Sequence, residues 1–130
     1  MSRLGRINRF TYWLAVAVAV AICVAIGLIM HAPFQGAPLL LLIIAVPRLH
    51  DIGKSGWWAL GVLAVEFLAG MAIGKLLPPE QLLSAITVTA LVVVALAILL
   101  GCLPGQAQAN LYGPVPASGL SYTEPPKPSA

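Results

Sequence analysis

The chain has 130 residues, 60% of them hydrophobic and only 8% charged, with a mean hydropathy of +0.97, whereas roughly a quarter of the residues in a soluble domain carry charge. This is a membrane protein's composition, and it excludes a soluble enzyme with a polar shell, a disordered chain and a nucleic-acid binder working through a broad basic surface. The formal charge of +3 is too small to argue for nucleic acid, and Cys23 and Cys102, without a CxxC or a metal-spaced His, indicate neither a disulfide framework nor a zinc site.

The first apolar run, Tyr12 to Met30, carries no charge over its whole length. As a helix of about 19 residues it covers about 28 Å, enough to cross a bilayer core. Its Ala/Val alternation has a strand's period of two, but its length decides for a helix. A secretory signal has an apolar core of about 7 to 15 residues and a small-residue cleavage site, whereas His31-Ala32-Pro33-Phe34 follows here, so the run is read as a retained span. The second run, Ala37 to Val46, is only about half as long as the first. It spans if a helix begins near Pro38 and continues through a kink at Pro47 to Ile52, or if 32–36 also lies in the bilayer. The third, Trp57 to Leu77, carries Glu66 near its middle and Lys75 near its end, and Pro78-Pro79 stops it. The fourth and longest, Leu82 to Leu103, has only Ser84, Thr87 and Thr89 as polar members. From Pro104 the tail reads as an ordered turn region to Pro116, followed by a flexible Pro-rich end over 117–130.

Lys and Arg are retained on the cytoplasmic side, which fixes orientation. Four spans with a cytoplasmic amino terminus put Arg3, Arg6, Arg9, Arg48, Lys54 and Lys127 inside and Lys75 outside, six against one. A re-entrant second run gives four against three. The expected fold is therefore an all-α, polytopic membrane protein, with transmembrane helices over about 12–30, 37–52, 57–77 and 82–103, both termini cytoplasmic, and one membrane domain over 1–116.

This topology gathers every notable polar cluster on one face. Gly5-Arg6-Ile7-Asn8-Arg9 with Trp13, the stretch Arg48-Leu49-His50-Asp51-Ile52-Gly53-Lys54-Ser55-Gly56-Trp57-Trp58, and Pro104-Gly105 with Asn110-Leu111-Tyr112-Gly113-Pro114-Val115-Pro116 meet at the cytoplasmic interface. This order of motifs, from about Gly5 to Pro116, resembles the bacterial membrane proteins of the domain of unknown function 805 (DUF805) family, and the central RLHDxGKSGWW is its specific part. The resemblance implies a four-span protein of the bacterial inner membrane and no established activity. The chain departs from the usual pattern at Pro47, where a second Arg usually precedes the one matching Arg48. It also departs at Leu111 and Val115, where a basic and an acidic residue often stand. A site built on charge is weaker for it.

The candidate interaction cluster comprises Arg6, Arg9, Arg48, His50, Asp51, Lys54, Asn110 and Tyr112. Arg3, Arg6 and Arg9 share a broad helical face able to hold anionic headgroups, at about 1 kcal/mol per charge; the simpler reading is that they hold the amino terminus inside. Trp13, Trp57 and Trp58 are read as interfacial anchors rather than a cation cage. Gly53-Lys54-Ser55 imitates the end of a phosphate-binding loop, but Arg48 stands where its first Gly is required and no strand precedes it. His50-Asp51 offers the minimum for acid–base work, yet adjacent helical residues point about 100° apart and no nucleophile is paired with them. A structural role is preferred, with Asp51 paired to Arg48 or Lys54, and Arg48 reaching Asp51 or a tail carbonyl near Asn110 and Tyr112.

Glu66 is the intramembrane polar residue. It shares a face with Gly70 and Gly74, a GxxxG that admits a close helix, and the simplest expectation is a protonated carboxyl hydrogen-bonded to Thr87 or Thr89. No catalytic residue, metal or cofactor is assigned. Expected partners are membrane lipids, anionic headgroups among them, and a second copy or another membrane protein. The function read from the sequence is a structural or lipid/protein-interaction module. The alternatives are a headgroup-binding or headgroup-modifying enzyme using Arg6, Arg9, Arg48, Lys54 and His50-Asp51, and a small transporter or channel using Glu66.

Overall fold

Asn8 starts the first helix by accepting the Thr11 amide at 2.8 Å through its side chain, which satisfies one of the free donors of the opening turn. The computed structural model describes residues 4–31 and 37–124. In chain order these form β1 (Arg6–Ile7), α1 (Arg9–Met30), α2 (Ala37–Asp51), α3 (Trp57–Leu76), α4 (Pro79–Cys102) and β2 (Tyr122–Thr123). The four expected apolar runs are thus four helices. Three of them, α1, α3 and α4, are long and apolar enough to cross a membrane. The 15 residues of α2 reach about 22 Å, and this helix continues through Pro47 instead of ending there.

The end of α2 is decided by Gly53. Its φ of +75° is a left-handed conformation that costs a side-chain-bearing residue energy. It lets the Lys54 amide reach Leu49 O at 2.8 Å and the Gly53 amide reach His50 O at 3.1 Å, a paired helix stop that leaves few carbonyls orphaned. At the next junction Pro78 precedes α4 and Pro79 occupies its first turn, where a missing N–H costs nothing.

The chain ends meet. β1 and β2 run antiparallel, with Arg6 opposite Thr123 and Ile7 opposite Tyr122. The Asn8 side chain donates to Ala117 O at 2.6 Å and Gly119 O at 2.7 Å, and Thr11 Oγ1 to Ser121 O at 3.2 Å. The architecture is helical, as expected, with a minimal two-stranded sheet added, and 117–124, the first part of the segment expected to be a flexible tail, returns to the bundle through Glu124. Its short polar strand finds partners on β1 that no local pattern announces; residues 125–130 lie outside the described residues, as does Arg3.

Burial is concentrated at this end. Arg6, Arg48, His50 and Asp51 are all at most 3% exposed, beside Ile7 and Val46. Farther along the helices only Tyr12 and Ala19 of α1 and Gly101 of α4 are buried, and α3 buries none of its residues. Tyr12 ties α1 to α4 by donating its hydroxyl to Ala97 O at 2.8 Å. Gly70 and Gly74 have no neighbour where a side chain would stand, so the GxxxG of α3 packs no helix among the described residues.

Candidate functional site: a buried arginine clasp

Asp51, in the last turn of α2, holds two guanidiniums with one carboxylate. Oδ1 accepts from Arg6 Nη2 at 3.0 Å and Nε at 3.2 Å, and Oδ2 accepts from Arg48 Nη1. Arg48 is three residues earlier on the same helix, so its side chain lies over the adjacent turn. Arg6 comes from β1, 45 residues away.

Two cations facing one anion leave a buried excess of positive charge, and backbone carbonyls answer it. Arg6 donates to Gln106 O at 2.7 Å, Gln108 O at 2.9 Å and Gly113 O at 3.1 Å. Arg48 donates to Leu100 O at 3.2 Å and to Leu103 O. The last two oxygens belong to the C-terminal end of α4, where the helix dipole is negative. Leu100 O is free because its helical partner would be the amide of residue 104, which is Pro104 and has none. Gly105 follows for a steric reason: a Cβ there would lie 2.1 Å from Asp51 Oδ2.

The tail is stitched to the same turn. The Gln106 amide donates to Asp51 O at 2.8 Å, and Asn110 Nδ2 donates to His50 O at 2.9 Å and Gln106 Oε1 at 2.8 Å. Asn110 and Gly113 exchange backbone hydrogen bonds, closing the turn that carries Tyr112. The Tyr112 ring stacks on His50 with centroids 3.8 Å apart and planes 2° apart.

His50 lies past the apolar run of α2, at the polar end of the helix. Its Nδ1 is 2.7 Å from Leu4 O and 3.3 Å from Gly5 O. Two carbonyls can only accept, so Nδ1 carries the proton. The buried Nε2 has no partner among the described residues.

The candidate residues therefore separate into two sets. Arg6, Arg48, His50, Asp51, Asn110 and Tyr112 converge, and the structure brings Gly5-Arg6, RLHD, PG and NxYGP into one network. Asp51 pairs with Arg48 as expected but takes Arg6 as its second cation, and Arg48 finds its tail-side carbonyls at Leu100 and Leu103 rather than near Asn110 and Tyr112. Arg9 and Lys54 stay exposed outside the network, as do Trp13, Trp57 and Trp58 near the starts of α1 and α3. Leu111 and Val115 are exposed as well. The residues that sequence reasoning missed are Asn8, Gln106 and Thr11. Only Asn8 carried a local signal, as an N-cap residue directly before an apolar run.

A family model described as a protein of unknown function, DUF805, matches residues 1–114. The chain belongs to the DUF805 family. The stretch matched includes Arg6, Arg48, His50, Asp51, Asn110 and Tyr112, the side chains that interlock in this DUF805 chain. No curated protein and no solved structure matches the chain.

Chemically, the DUF805 clasp has little left to offer a ligand. Every guanidinium nitrogen of Arg6 and Arg48 bonds to Asp51 or to a carbonyl, and an anion would have to displace a carboxylate held from two sides. The His50 proton is directed at backbone oxygen, and no group of three His, Cys, Asp or Glu side chains able to hold a metal occurs among the described residues.

Proposed function

We propose that this chain is a four-span protein of the bacterial inner membrane whose cytoplasmic cap, locked by the arginine clasp, presents a surface to lipid headgroups and to other membrane proteins. The observation that carries the reading is the enclosure of Arg6 and Arg48, both 0% exposed with carboxylate and carbonyl partners throughout. They serve as scaffold. What remains outward on the same end is Arg9 and Lys54 among Phe10, Trp13, Trp57 and Trp58, all exposed, a cationic and aromatic rim suited to headgroup depth.

The clasp also supports the topology. Arg6 precedes α1 and bonds Asp51, which ends α2, so if α1 crosses the bilayer, α2 has to return across it. The bonds from Arg6 to Gln106 and the β1–β2 pair make the same demand of α3 and α4. The short reach of α2 against a hydrocarbon core of about 30 Å is met by local bilayer thinning, at a modest cost. The six-to-one distribution of Lys and Arg then supports a cytoplasmic cap. Single cysteines placed at Ser55 and Gln81 are expected to label from opposite sides, Ser55 from the cytoplasm; labelling from one side refutes the topology.

Two exposed cations contribute about 1 kcal/mol each towards anionic lipid. Native mass spectrometry of the detergent-released protein is expected to show anionic phospholipid enriched over zwitterionic, and Arg9→Gln with Lys54→Gln to abolish that enrichment without loss of fold. Equal lipid selection by the double variant would remove the rim from the account.

A further inference from the structure

Between the four helices lies a cavity of about 360 Å3 with an almost wholly apolar lining, a size in the range of about 300–1,000 Å3 found for small-molecule sites. Its walls include Tyr12, Leu42, Trp58, Val62 and Leu96, and one acid, Glu66. A second cavity, in the cleft between α3 and α4, is also lined by Trp58 and Glu66. Glu66 thus stands in the partition between the two, nine residues into α3 from Trp57, or about 14 Å along its axis.

That carboxyl is unaccompanied. Among the described residues it receives no hydrogen bond and no ion pair. The expected bond between a protonated carboxyl and Thr87 or Thr89 is absent; Thr87 donates to Leu83 O and Thr89 to Ala85 O, each at 2.8 Å, the local alternative that any helical Thr has, so neither hydroxyl proton is left for a carboxylate. The Tyr12 hydroxyl is committed to Ala97 O. Lys54, the one other charged residue of the lining, is at the polar end, on the loop beyond α2. An intramembrane charge is costly unless something neutralises it, about 2.5–3.5 kcal/mol for a comparable Asp at mid-helix.

The choice of occupant follows from what the cavity lacks. A metal cation needs several oxygens, and this lining offers one carboxylate in an otherwise almost wholly apolar wall. An acyl chain would fill the apolar volume but gives the carboxylate nothing. A cation whose remaining valences are hydrocarbon satisfies both, since its body replaces empty apolar space and its charge meets Glu66. We propose that the Glu66 cavity is a binding site for lipophilic cations, one per chain, entered from the membrane. The site shares Lys54 and Trp58 with the cytoplasmic rim but is centred on Glu66, and it holds whether or not that rim selects lipid.

The test is equilibrium binding of methyltriphenylphosphonium to the purified full chain in detergent, with uncharged 1,1,1-triphenylethane as the isosteric control. Wild type is expected to bind the cation saturably at one per chain and at least tenfold more tightly than the neutral analogue. Glu66→Gln should erase that preference, Glu66→Asp should retain part of it, and Val62→Trp, which fills the cavity and leaves the acid in place, should weaken both probes. Thermal unfolding of each variant within a few degrees of wild type shows that the fold is kept. Equal affinity for the two probes in wild type, undiminished cation binding in Glu66→Gln, or a co-purified acyl chain that the cation does not displace would each overturn the proposal.

Discussion

At the polar end of the molecule, four charged or ionisable side chains are almost completely enclosed; along α3 no residue is buried, and along α4 only Gly101 is. The two regions answer to different solvents. Where water is at hand, a side chain gives up hydration only for partners, and Arg6, Arg48 and Asp51 obtain theirs from one another and from five carbonyls. Where the surroundings are lipid tails, as apolar as Leu itself, a helix gains little by hiding its Leu and Val from them. The specific part of this fold is consequently its cap, and the spans are held at their ends more than along their lengths.

Replacement of Asp51 by Ala should test that contrast most severely. It leaves two guanidiniums side by side in a closed site, for which a loss of about 3–5 kcal/mol is expected, read as a collapse of thermal stability in detergent and protease cleavage near Gln106. A loss below about 1 kcal/mol, the scale of an exposed ion pair, would mean that the carbonyls alone hold the cap. Gly105→Ala is next. Its added carbon meets Asp51 Oδ2, and the resulting shift should cost about 1–3 kcal/mol, with the same cleavage pattern in weaker form; wild-type stability would show that the tail can slide.

The smallest effect is expected in the spans, where Leu83 is 77% exposed. Its replacement by Ala should change stability by about 0.5 kcal/mol or less, as at other sites without packing partners. A loss of about 2 kcal/mol or more, the range of a buried Leu, would reveal a neighbour packed against it.

Three of the helices, α1, α3 and α4, were legible because an apolar run long enough for a bilayer leaves one structural choice, and the observed ends of all four fall within three residues of the expected ones. The convergence of motifs on one face followed from counting cations. The pairing inside the cap did not, since nothing local says that Asp51 draws on Arg6 from 45 residues away as well as on its helical neighbour Arg48. The strand Tyr122–Thr123 was illegible for the same reason: two residues have no period, and their partner is at the other end of the chain. The failed expectation for Thr87 and Thr89 has a local cause, because a helical threonine always has a carbonyl one turn back within reach.

The separation of 100 residues between Arg6 and Gln106 gives the clasp a place in biosynthesis. Ribosomes add about 5–20 residues per second, so Arg6 emerges about 5–20 s before the segment carrying its last acceptors. During that interval its guanidinium can remain hydrated while the later helices are still being made. Closure of the cap is therefore the final event of assembly, and a chain arrested before Gly113 keeps an open, hydrated end that quality-control proteases can grip.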